Sequence, residues 1–220
     1  MAEIYILDIT LVSDLLSELK ERVSERRQSA CEKAEKNEKA LTPIASEVLL
    51  AYALKQNLPL VYKTDKKGKP YISTLPFFNI SHSGKYVVCA VSNKEIGVDI
   101  EKISRMRIDL SRRILSEGEL TKSTSVSGAG LQRLLCEKWV RKEAYLKMTG
   151  DGLRGSMTSL CFDNDNLADH NIFSTLFEID GGYLLSFCRQ EEVPISLIEV
   201  KRQDISDYYF NKNESEAENV

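Results

Sequence analysis

Two short apolar runs near the middle of the chain constrain its fold more than any other feature. Both "YVVCAV" (86–91) and "IGVDIE" (96–101) are rich in β-branched residues, and each predicts a β-strand. The polar link "SNKE" (92–95) between them has the length of a hairpin connection. The chain therefore contains β-structure, and the fold class depends on whether helices or further strands pack on it.

The other elements are predicted from periodicity and from residues typical of helix ends. Residues 131–148 give the strongest helical pattern. A second helix is predicted over 41–55, where Thr42 is a candidate N-cap and Pro43 suits the first turn. The remaining predictions are a strand at 3–9, a long exposed helix over 13–40, a turn at 65–70, a flexible loop at 121–130 and a strand meander in the last third.

A faint internal repeat predicts two similar α/β halves. Three short matches recur in the same order at nearly one spacing: Asp8 with Asp99 (91 residues apart), Tyr52 with Tyr145 (93 apart) and Tyr86 with Tyr183 (97 apart). The expected division is an N-terminal half at 1–93, a C-terminal half at 94–210 and a disordered tail at 211–220.

Charge and composition argue against several classes of protein. A net charge of −3 and a pI near 5.6 provide no basic field for nucleic acid. The five cysteines form no C-x-x-C pair, and Cys89, Cys161 and Cys188 lie in apolar runs, which favours buried thiols in a reducing cytosol. The first residues lack the basic start of a signal peptide, and no apolar run approaches a membrane span. We therefore expect a cytoplasmic protein.

An acidic pair at the end of the second apolar run is the first candidate for chemistry. Asp99 and Glu101 are two residues apart on a predicted strand, so both side chains lie on one face. Two carboxylates there repel each other unless a cation or a proton lies between them, and oxygen ligands suit Mg²⁺. The alternative is an exposed strand end in which Lys102 neutralises Glu101.

The helix "WVRKEAYLK" (139–147) offers further candidates. Trp139, Glu143 and Lys147 are four residues apart and share one helix face beside an apolar border. Glu143 is either a third metal ligand or general base, with Lys147 contacting a phosphate, or half of a surface ion pair with Lys147. Helical spacing alone leaves both readings open.

The segment "NISHSG" (79–84) holds one of the two histidines of the chain. A turn with Ser81, His82 and backbone N–H groups can bind an anion, and it can equally be a structural turn. A Ser81–His82 catalytic pair is disfavoured because sequence neighbours rarely have the geometry that a nucleophile and its base need. The other histidine, His170, is expected in a surface loop.

Together these segments resemble the 4′-phosphopantetheinyl transferase family, specifically the type that activates surfactin synthetase. That family has a G-[IV]-D-x-E strand and, some forty residues later, a W/F-x-x-K-E-[AS]-x-x-K helix. This chain has "GVDIE" and "WVRKEAYLK", with Glu101 and Glu143 separated by 42 residues. Upstream, "GKP" (68–70) and "NISHSG" occur in the family's order, so the resemblance is strong over residues 66–153 and looser elsewhere.

The resemblance implies an α+β fold: a monomeric pseudo-dimer of two similar α/β halves, with antiparallel strands packed on helices and coenzyme A in the cleft. It also implies Mg²⁺-dependent transfer of 4′-phosphopantetheine from coenzyme A to a serine of an apo acyl or peptidyl carrier protein, releasing 3′,5′-ADP. Neither a nucleic acid nor a membrane is an expected partner. A catalytically inactive carrier-binding homologue and an unrelated Mg²⁺-dependent phosphohydrolase are the alternatives.

The resemblance further implies roles for individual residues. Asp99, Glu101 and Glu143 would hold Mg²⁺ on the pyrophosphate of coenzyme A. Glu143 and Lys147 are the expected catalytic residues, and Glu143 is the candidate base, with a Mg²⁺-bound hydroxide as its rival. The expected coenzyme A site comprises Lys69, Pro70, Ser81, His82, Lys147 and Arg27.

One position departs from the family pattern. An Arg is usual just before the second helix, where this chain has Thr42, so Arg27, Lys36 or Lys39 would have to replace it at the 3′-phosphate of coenzyme A.

Carrier proteins of this type are usually acidic. A basic stretch between the two hallmark motifs could dock one, or could simply be solvated: Arg105, Arg107, Arg112 and Arg113.

Overall fold

Two sheets, each covered by one main helix, form the framework of the chain. A computed structural model describes residues 1–34, 40–152, 157–163, 166–167 and 171–211. The strands are β1 (Ala2–Asp8), β2 (Lys63–Thr64), β3 (Pro70–Tyr71), β4 (Phe77–Ser83), β5 (Tyr86–Ser92), β6 (Ile96–Lys102), β7 (Phe162–Asp163), β8 (Asn166–Leu167), β9 (Ile172–Ile179), β10 (Tyr183–Arg189) and β11 (Ile195–Val200). The helices are α1 (Ser13–Leu19), α2 (Glu25–Ala34), α3 (Thr42–Leu54), α4 (Ser111–Ile114), α5 (Glu117–Ser123), α6 (Gly128–Thr149) and α7 (Arg202–Ser206).

The two sheets share one topology. The first has the strand order β11-β1-β5-β4 and the second has the order β6-β10-β9-β8-β7. In each, an initial strand pairs antiparallel with the second strand of a hairpin: β1 with β5, and β6 with β10. The α+β fold and the likeness of the two halves are therefore confirmed.

The apolar alternation of the strands explains the layers. On β5, Val87, Cys89 and Val91 pack with α3, whereas Val88 and Ala90 face the core between the two sheets. That inner core also receives alternate residues of β6 and β10, because strand side chains point to opposite faces in turn. Each sheet is thus buried on both faces.

The internal repeat is correct for Tyr86 and Tyr183 and wrong for its aspartates. Tyr86 and Tyr183 begin the equivalent strands β5 and β10, and their rings meet edge to face with centroids 5.1 Å apart. In the strand registers, Asp8 lies opposite Tyr86, whereas Lys102 lies opposite Tyr183. Asp8 therefore corresponds to Lys102 and not to Asp99.

The end of the described chain returns to the first sheet. Strand β11 pairs parallel with β1, and Ile205 and Tyr209 join the core that α3 covers. A division after residue 93 thus separates the sheets, but residues 195–211 of the expected C-terminal half pack on the first one. Most of the tail expected to be disordered, residues 212–220, lies outside the described residues.

Two strand-level predictions are wrong. The link 93–95 is not a hairpin, because β5 and β6 belong to different sheets and the short connection passes between them. The true hairpin is β4–β5. In the segment "NISHSG", residues 79–83 are therefore part of a strand, and Gly84 begins the turn that Lys85 completes. A positive φ of 56° at Gly84 suits the residue that allows this turn.

Three helix-level predictions also need correction. The expected helix over 13–40 is broken between α1 and α2, where the carboxylate of Glu47 accepts hydrogen bonds from the amide and the hydroxyl of Ser24; residues 35–39 are not described. The α3 N-cap is Leu41, and Thr42 is already helical. The expected loop over 121–130 is shorter, since α5 ends at Ser123 and α6 begins at Gly128.

The cysteines and the helix lengths are also predicted from the sequence. All five cysteines are free thiols; Cys89 and Cys188 are buried as predicted, and Cys161 is half-buried. None of the described helices combines the length and apolar character that crossing a bilayer requires.

Gly97 explains why α6 can lie directly on β6. A Cβ atom at this position would stand 1.8 Å from the carbonyl oxygen of Ala144 and 2.7 Å from the amide nitrogen of Met148. Without a side chain at Gly97, the α6 backbone reaches the strand that carries Asp99 and Glu101.

We expect Gly97→Ala to lower the free energy of unfolding by about 2 kcal/mol or more, because backbone atoms of α6 must move away. Urea unfolding followed by circular dichroism measures the change. The control Gly118→Ala adds a methyl group in α5 where no atom lies within 4 Å, so it should be neutral or stabilising by up to about 1 kcal/mol. An unchanged midpoint for Gly97→Ala would contradict this account of the packing.

Candidate active site

Three polar side chains of β4 join the two sheets. Asn79, Ser81 and Ser83 alternate along the strand, so all three lie on the face that meets β6. The backbone amides of Val98, Ile100 and Lys102 donate hydrogen bonds to these side chains, at 3.1, 3.4 and 3.2 Å respectively. We call Asn79, Ser81 and Ser83 the β4 ladder, because they replace the backbone hydrogen bonds of a continuous sheet.

Two members of the β4 ladder also contact the predicted acids. The hydroxyl of Ser81 donates to Oδ1 of Asp99 at 2.7 Å, and the hydroxyl of Ser83 donates to Oε2 of Glu101 at 2.7 Å. Asp99 and Glu101 therefore lie where the edges of the two sheets meet. This placement follows from a strand in "NISHS", where the sequence predicted a turn.

Lys147 reaches this junction from α6. Its ammonium donates to Oδ1 of Asp99 at 2.6 Å and to the hydroxyl of Ser81 at 2.9 Å. Among the contacts of the described residues, Lys147 therefore pairs with Asp99 and not with Glu143, contrary to the surface-pair alternative. The side chain of Asp99 is 4% exposed, and its second oxygen, Oδ2, has no hydrogen-bond partner.

Glu143 is the third acid of the junction. Its Oε1 is buried without a hydrogen-bond partner. Burial raises the pKa of Glu143 to about 7, and repulsion from Asp99 and Glu101 adds to this effect, whereas Lys147 opposes it. The three carboxylates are therefore near enough to influence one another, and Glu143 titrates close to neutral pH.

The donor set fits a hard cation that takes only part of its coordination from the protein. Within the described ranges, no group of three His, Cys, Asp or Glu side chains is already arranged to hold a metal. Mg²⁺ does not need such a group, because it commonly binds one or two carboxylates and completes its shell with water and phosphate oxygens. The unpartnered oxygens of Asp99 and Glu143 are suited to that chemistry.

Lys69 and Pro70 line a cavity of about 410 Å³. The Lys69 ammonium donates to the carbonyl of Met148 at 2.8 Å and to the carboxylate of Glu95 at 2.5 Å. Lys69 thus connects the wall of this cavity to the last turn of α6. Exposed aromatic rings of Tyr71 and Phe77 also border the cavity.

Two other residues expected at the coenzyme A site, His82 and Arg27, do not contact the acids among the described contacts. His82 is exposed and alternates with Ser81 and Ser83, so it belongs to the β4 face that packs towards α3. Arg27 lies on α2, with its Nε 3.9 Å from the buried carboxylate of Glu47. The remaining candidates Lys36, Lys39 and His170 fall outside the described residues.

The sequence interpretation missed a buried ion pair next to Glu143. Lys142 is fully buried and donates to Glu119 at 2.5 Å and to the carbonyl of Ile114 at 2.7 Å. Burial lowers the pKa of Lys142, and Glu119 opposes that shift. The pair fastens α4 and α5 to α6, which no spacing in the sequence indicates because the partners are 23 residues apart.

Comparison with known proteins gives a consistent family. A model of the 4′-phosphopantetheinyl transferase superfamily matches residues 95–210, which include β6 and α6. The chain is 28% identical over 217 residues to 4′-phosphopantetheinyl transferase gsp of Aneurinibacillus migulanus, covering 91% of both chains. It is 33% identical over 139 residues to a 4′-phosphopantetheinyl transferase of Bacillus subtilis, covering 60% of this chain and 62% of the other.

Two further likenesses are more distant. Identity to 4′-phosphopantetheinyl transferase Sfp of Bacillus subtilis strain 168 is 26% over 187 residues, covering 76% of this chain and 81% of the other. A crystal structure of a holo-(acyl-carrier-protein) synthase from Bacillus anthracis covers 43% of this chain and 92% of its own, at 23% identity and a TM-score of 0.38. So loose a superposition says nothing about the site.

Glu143→Gln should stabilise the metal-free protein increasingly as the pH rises. The pKa of Glu143 rises from 4.5 in the ordinary case to about 7 in the fold. Between these values the native state binds the extra proton, so raising the pH through this window lowers native stability. Thermal unfolding with a chelator at pH 5 to 8 should show the variant's advantage growing to about 3 °C or more.

A matched control separates this effect from ordinary charge removal. Glu117→Gln neutralises an exposed carboxylate of α5, and we expect no comparable growth with pH. If the Glu143→Gln advantage were the same at pH 5 and pH 8, burial of a charged Glu143 would not be what destabilises this junction.

Proposed function

Because the chain belongs to the 4′-phosphopantetheinyl transferase superfamily, we propose that it transfers 4′-phosphopantetheine from coenzyme A to a serine of an apo carrier protein. The reaction would release 3′,5′-ADP and depend on Mg²⁺. One observation carries the site assignment: Asp99 and Glu143 keep buried oxygens without partners beside the ammonium of Lys147.

Such an arrangement is costly unless a ligand uses it. A buried polar oxygen without a hydrogen bond destabilises the fold by roughly 1–3 kcal/mol. Asp99, Glu101 and Glu143 would hold Mg²⁺, which when bound supplies positive charge to the pyrophosphate of coenzyme A. Lys147 already places one positive charge among the three acids and would contact a phosphate oxygen.

Glu143 is suited to accept the proton of the attacking hydroxyl. In the proposed reaction the carrier serine oxygen forms a bond to the phosphorus next to pantetheine, and the bond from that phosphorus to the bridging oxygen of 3′,5′-ADP breaks. The serine proton would pass to Glu143, a carboxylate that lies close enough to Asp99 and Glu101 to be repelled by them. Charge stabilisation and alignment supply the rest of the rate, as in other phosphoryl-type transfers.

The remaining coenzyme A contacts are proposed around this junction. The cavity at Lys69 and Pro70 is large enough for part of a nucleotide, and Lys69 in its wall donates to the carbonyl of Met148 in α6. Ser81 would lie near the phosphates, and His82 and Arg27 would contact coenzyme A from the side of the first sheet. Arg27 keeps a charge beside Glu47 while remaining 30% exposed, so its guanidinium is accessible to a phosphate group.

Carrier docking is proposed on the segment that follows β6. A second cavity, of about 150 Å³, lies between Glu101 and Trp139 and has Met106 and Leu110 in its wall. Arg105 and Arg107 border this cavity, although Arg107 is paired with Asp109. Arg112 and Arg113 are exposed in α4 close by. An acidic carrier could bring its serine towards the acids from this side.

The reaction is tested by incubating the protein with coenzyme A, Mg²⁺ and each of several apo carrier proteins, then weighing the carriers. We expect a carrier to gain the phosphopantetheine group, and Asp99→Asn to reduce the rate by about a hundredfold or more. The control Asp180→Asn removes an exposed carboxylate and should leave the rate unchanged. No mass gain on any carrier would refute the transferase, and phosphate release without a carrier would indicate a phosphohydrolase.

Charge reversal tests the docking surface separately. Arg112→Glu with Arg113→Glu should lower kcat/KM for an acidic carrier about tenfold at low salt, and less at high salt, because screening weakens long-range attraction. The control reverses two adjacent basic residues, Lys201 at the N-cap of α7 and Arg202 in its first turn, where Arg202 pairs with Asp14; α7 packs on the first sheet. Equal effects of the two double variants would argue against docking at α4.

A further inference from the structure

Ser83 has no role in the reaction proposed above, yet it contacts one of the acids directly. Its side chain is 5% exposed, and its hydroxyl donates to Oε2 of Glu101 at 2.7 Å. The hydroxyl oxygen of Ser83 also accepts a hydrogen bond from the backbone amide of Lys102 at 3.2 Å. Ser83 therefore joins the first sheet to both the backbone and the carboxylate of β6.

These two hydrogen bonds fix the direction of the hydroxyl proton. A serine hydroxyl has one proton to donate and two lone pairs to accept with. Because the Lys102 amide occupies a lone pair, the Ser83 proton is directed at the carboxylate of Glu101. Rotation of the hydroxyl would break one of the two bonds.

The same device recurs one step along the β4 ladder. Ser81 accepts from the amide of Ile100 and donates to Asp99, just as Ser83 accepts from Lys102 and donates to Glu101. Asn79 accepts from the amide of Val98 but bonds to no acid. Each of the two hydroxyls of the ladder thus donates to one of the two acids of β6.

A restraint on Glu101 acts against repulsion. The side chain of Glu101 has more rotamers than that of Asp99, and the charges of Glu101 and Glu143 repel each other. The hydrogen bond from Ser83 favours the rotamers of Glu101 that keep its carboxylate at the junction.

We propose that Ser83 is a positioning residue that holds the Glu101 carboxylate in the orientation that binds the divalent cation. This inference rests on the proposed function, because it assigns Glu101 to a cation. Groups that orient metal ligands from behind commonly change metal affinity 10- to 100-fold when they are removed.

The test measures binding of Mn²⁺, a paramagnetic substitute for Mg²⁺, in the presence of coenzyme A by electron paramagnetic resonance. Ser83→Ala should weaken Mn²⁺ binding about tenfold. Calorimetry should show that coenzyme A binding in a chelator is unchanged, because the hydroxyl acts through Glu101. Ser83→Thr, which keeps the hydroxyl, should restore the Mn²⁺ affinity.

Two comparisons separate positioning from simple strand docking. Asn79→Ala removes a bond of the β4 ladder that serves no acid, so it should lower thermal stability without changing Mn²⁺ affinity. In a Glu101→Gln background, Ser83→Ala should change Mn²⁺ binding less than twofold, because the group it positions has lost its charge. Should Ser83→Ala not fold, Ser83→Cys replaces it, since a thiol keeps the size but is a weak donor.

The outcomes distinguish this inference from the proposed function. Equal loss of Mn²⁺ affinity in Asn79→Ala and Ser83→Ala, or a full Ser83→Ala effect in the Glu101→Gln background, would overturn the positioning role alone. Wild-type protein that modifies a carrier while its Ser83 variants bind Mn²⁺ normally would do the same. Wild-type protein that binds no Mn²⁺ with coenzyme A present would overturn both the inference and the proposed cation site.

Discussion

The hydrogen bonds between β4 and β6 are the constraint on which the site depends. Two sheet edges that meet must satisfy their backbone groups, and here the side chains of Asn79, Ser81 and Ser83 satisfy the amides of β6. Because a side chain is longer than a direct backbone contact, the edges remain apart while staying in register. The separation leaves room at the junction for the carboxylates of Asp99 and Glu101, which the same hydroxyls contact.

The junction concentrates negative charge where water is scarce. Burial raises the pKa of Glu143, and repulsion from Asp99 and Glu101 adds to this effect, although the ammonium of Lys147 pairs with Asp99. Crowding of these acids lowers the stability of the fold, and in the proposed function a cation would offset that cost. The close approach of α6 to β6 at Gly97 keeps these charged groups together, because α6 supplies both Glu143 and Lys147.

The two halves share a strand arrangement but differ in what contacts the edge of the first strand of each sheet. The outer edge of β1 is occupied by the parallel strand β11, whereas the corresponding edge of β6 meets the β4 ladder. The buried carboxylate of α3, that of Glu47, accepts hydrogen bonds from Ser24 and from the amide of Leu60, whereas α6 supplies Glu143 and Lys147 to the junction. A single junction therefore holds the acids, although the chain contains two similar units.

The sequence by itself determined the strands β5 and β6, the long helix α6 and the residues Asp99, Glu101, Glu143 and Lys147, because local periodicity and motif spacing are properties of neighbouring residues. It did not determine that "NISHS" is a strand, that Ser83 contacts Glu101 or that Lys142 pairs with Glu119. Those facts depend on which edges and faces meet after residues far apart in the chain have packed. Only the tertiary structure brings Ser81 and Asp99 together, because that contact is fixed by the meeting of two sheets and not by any preference within either segment.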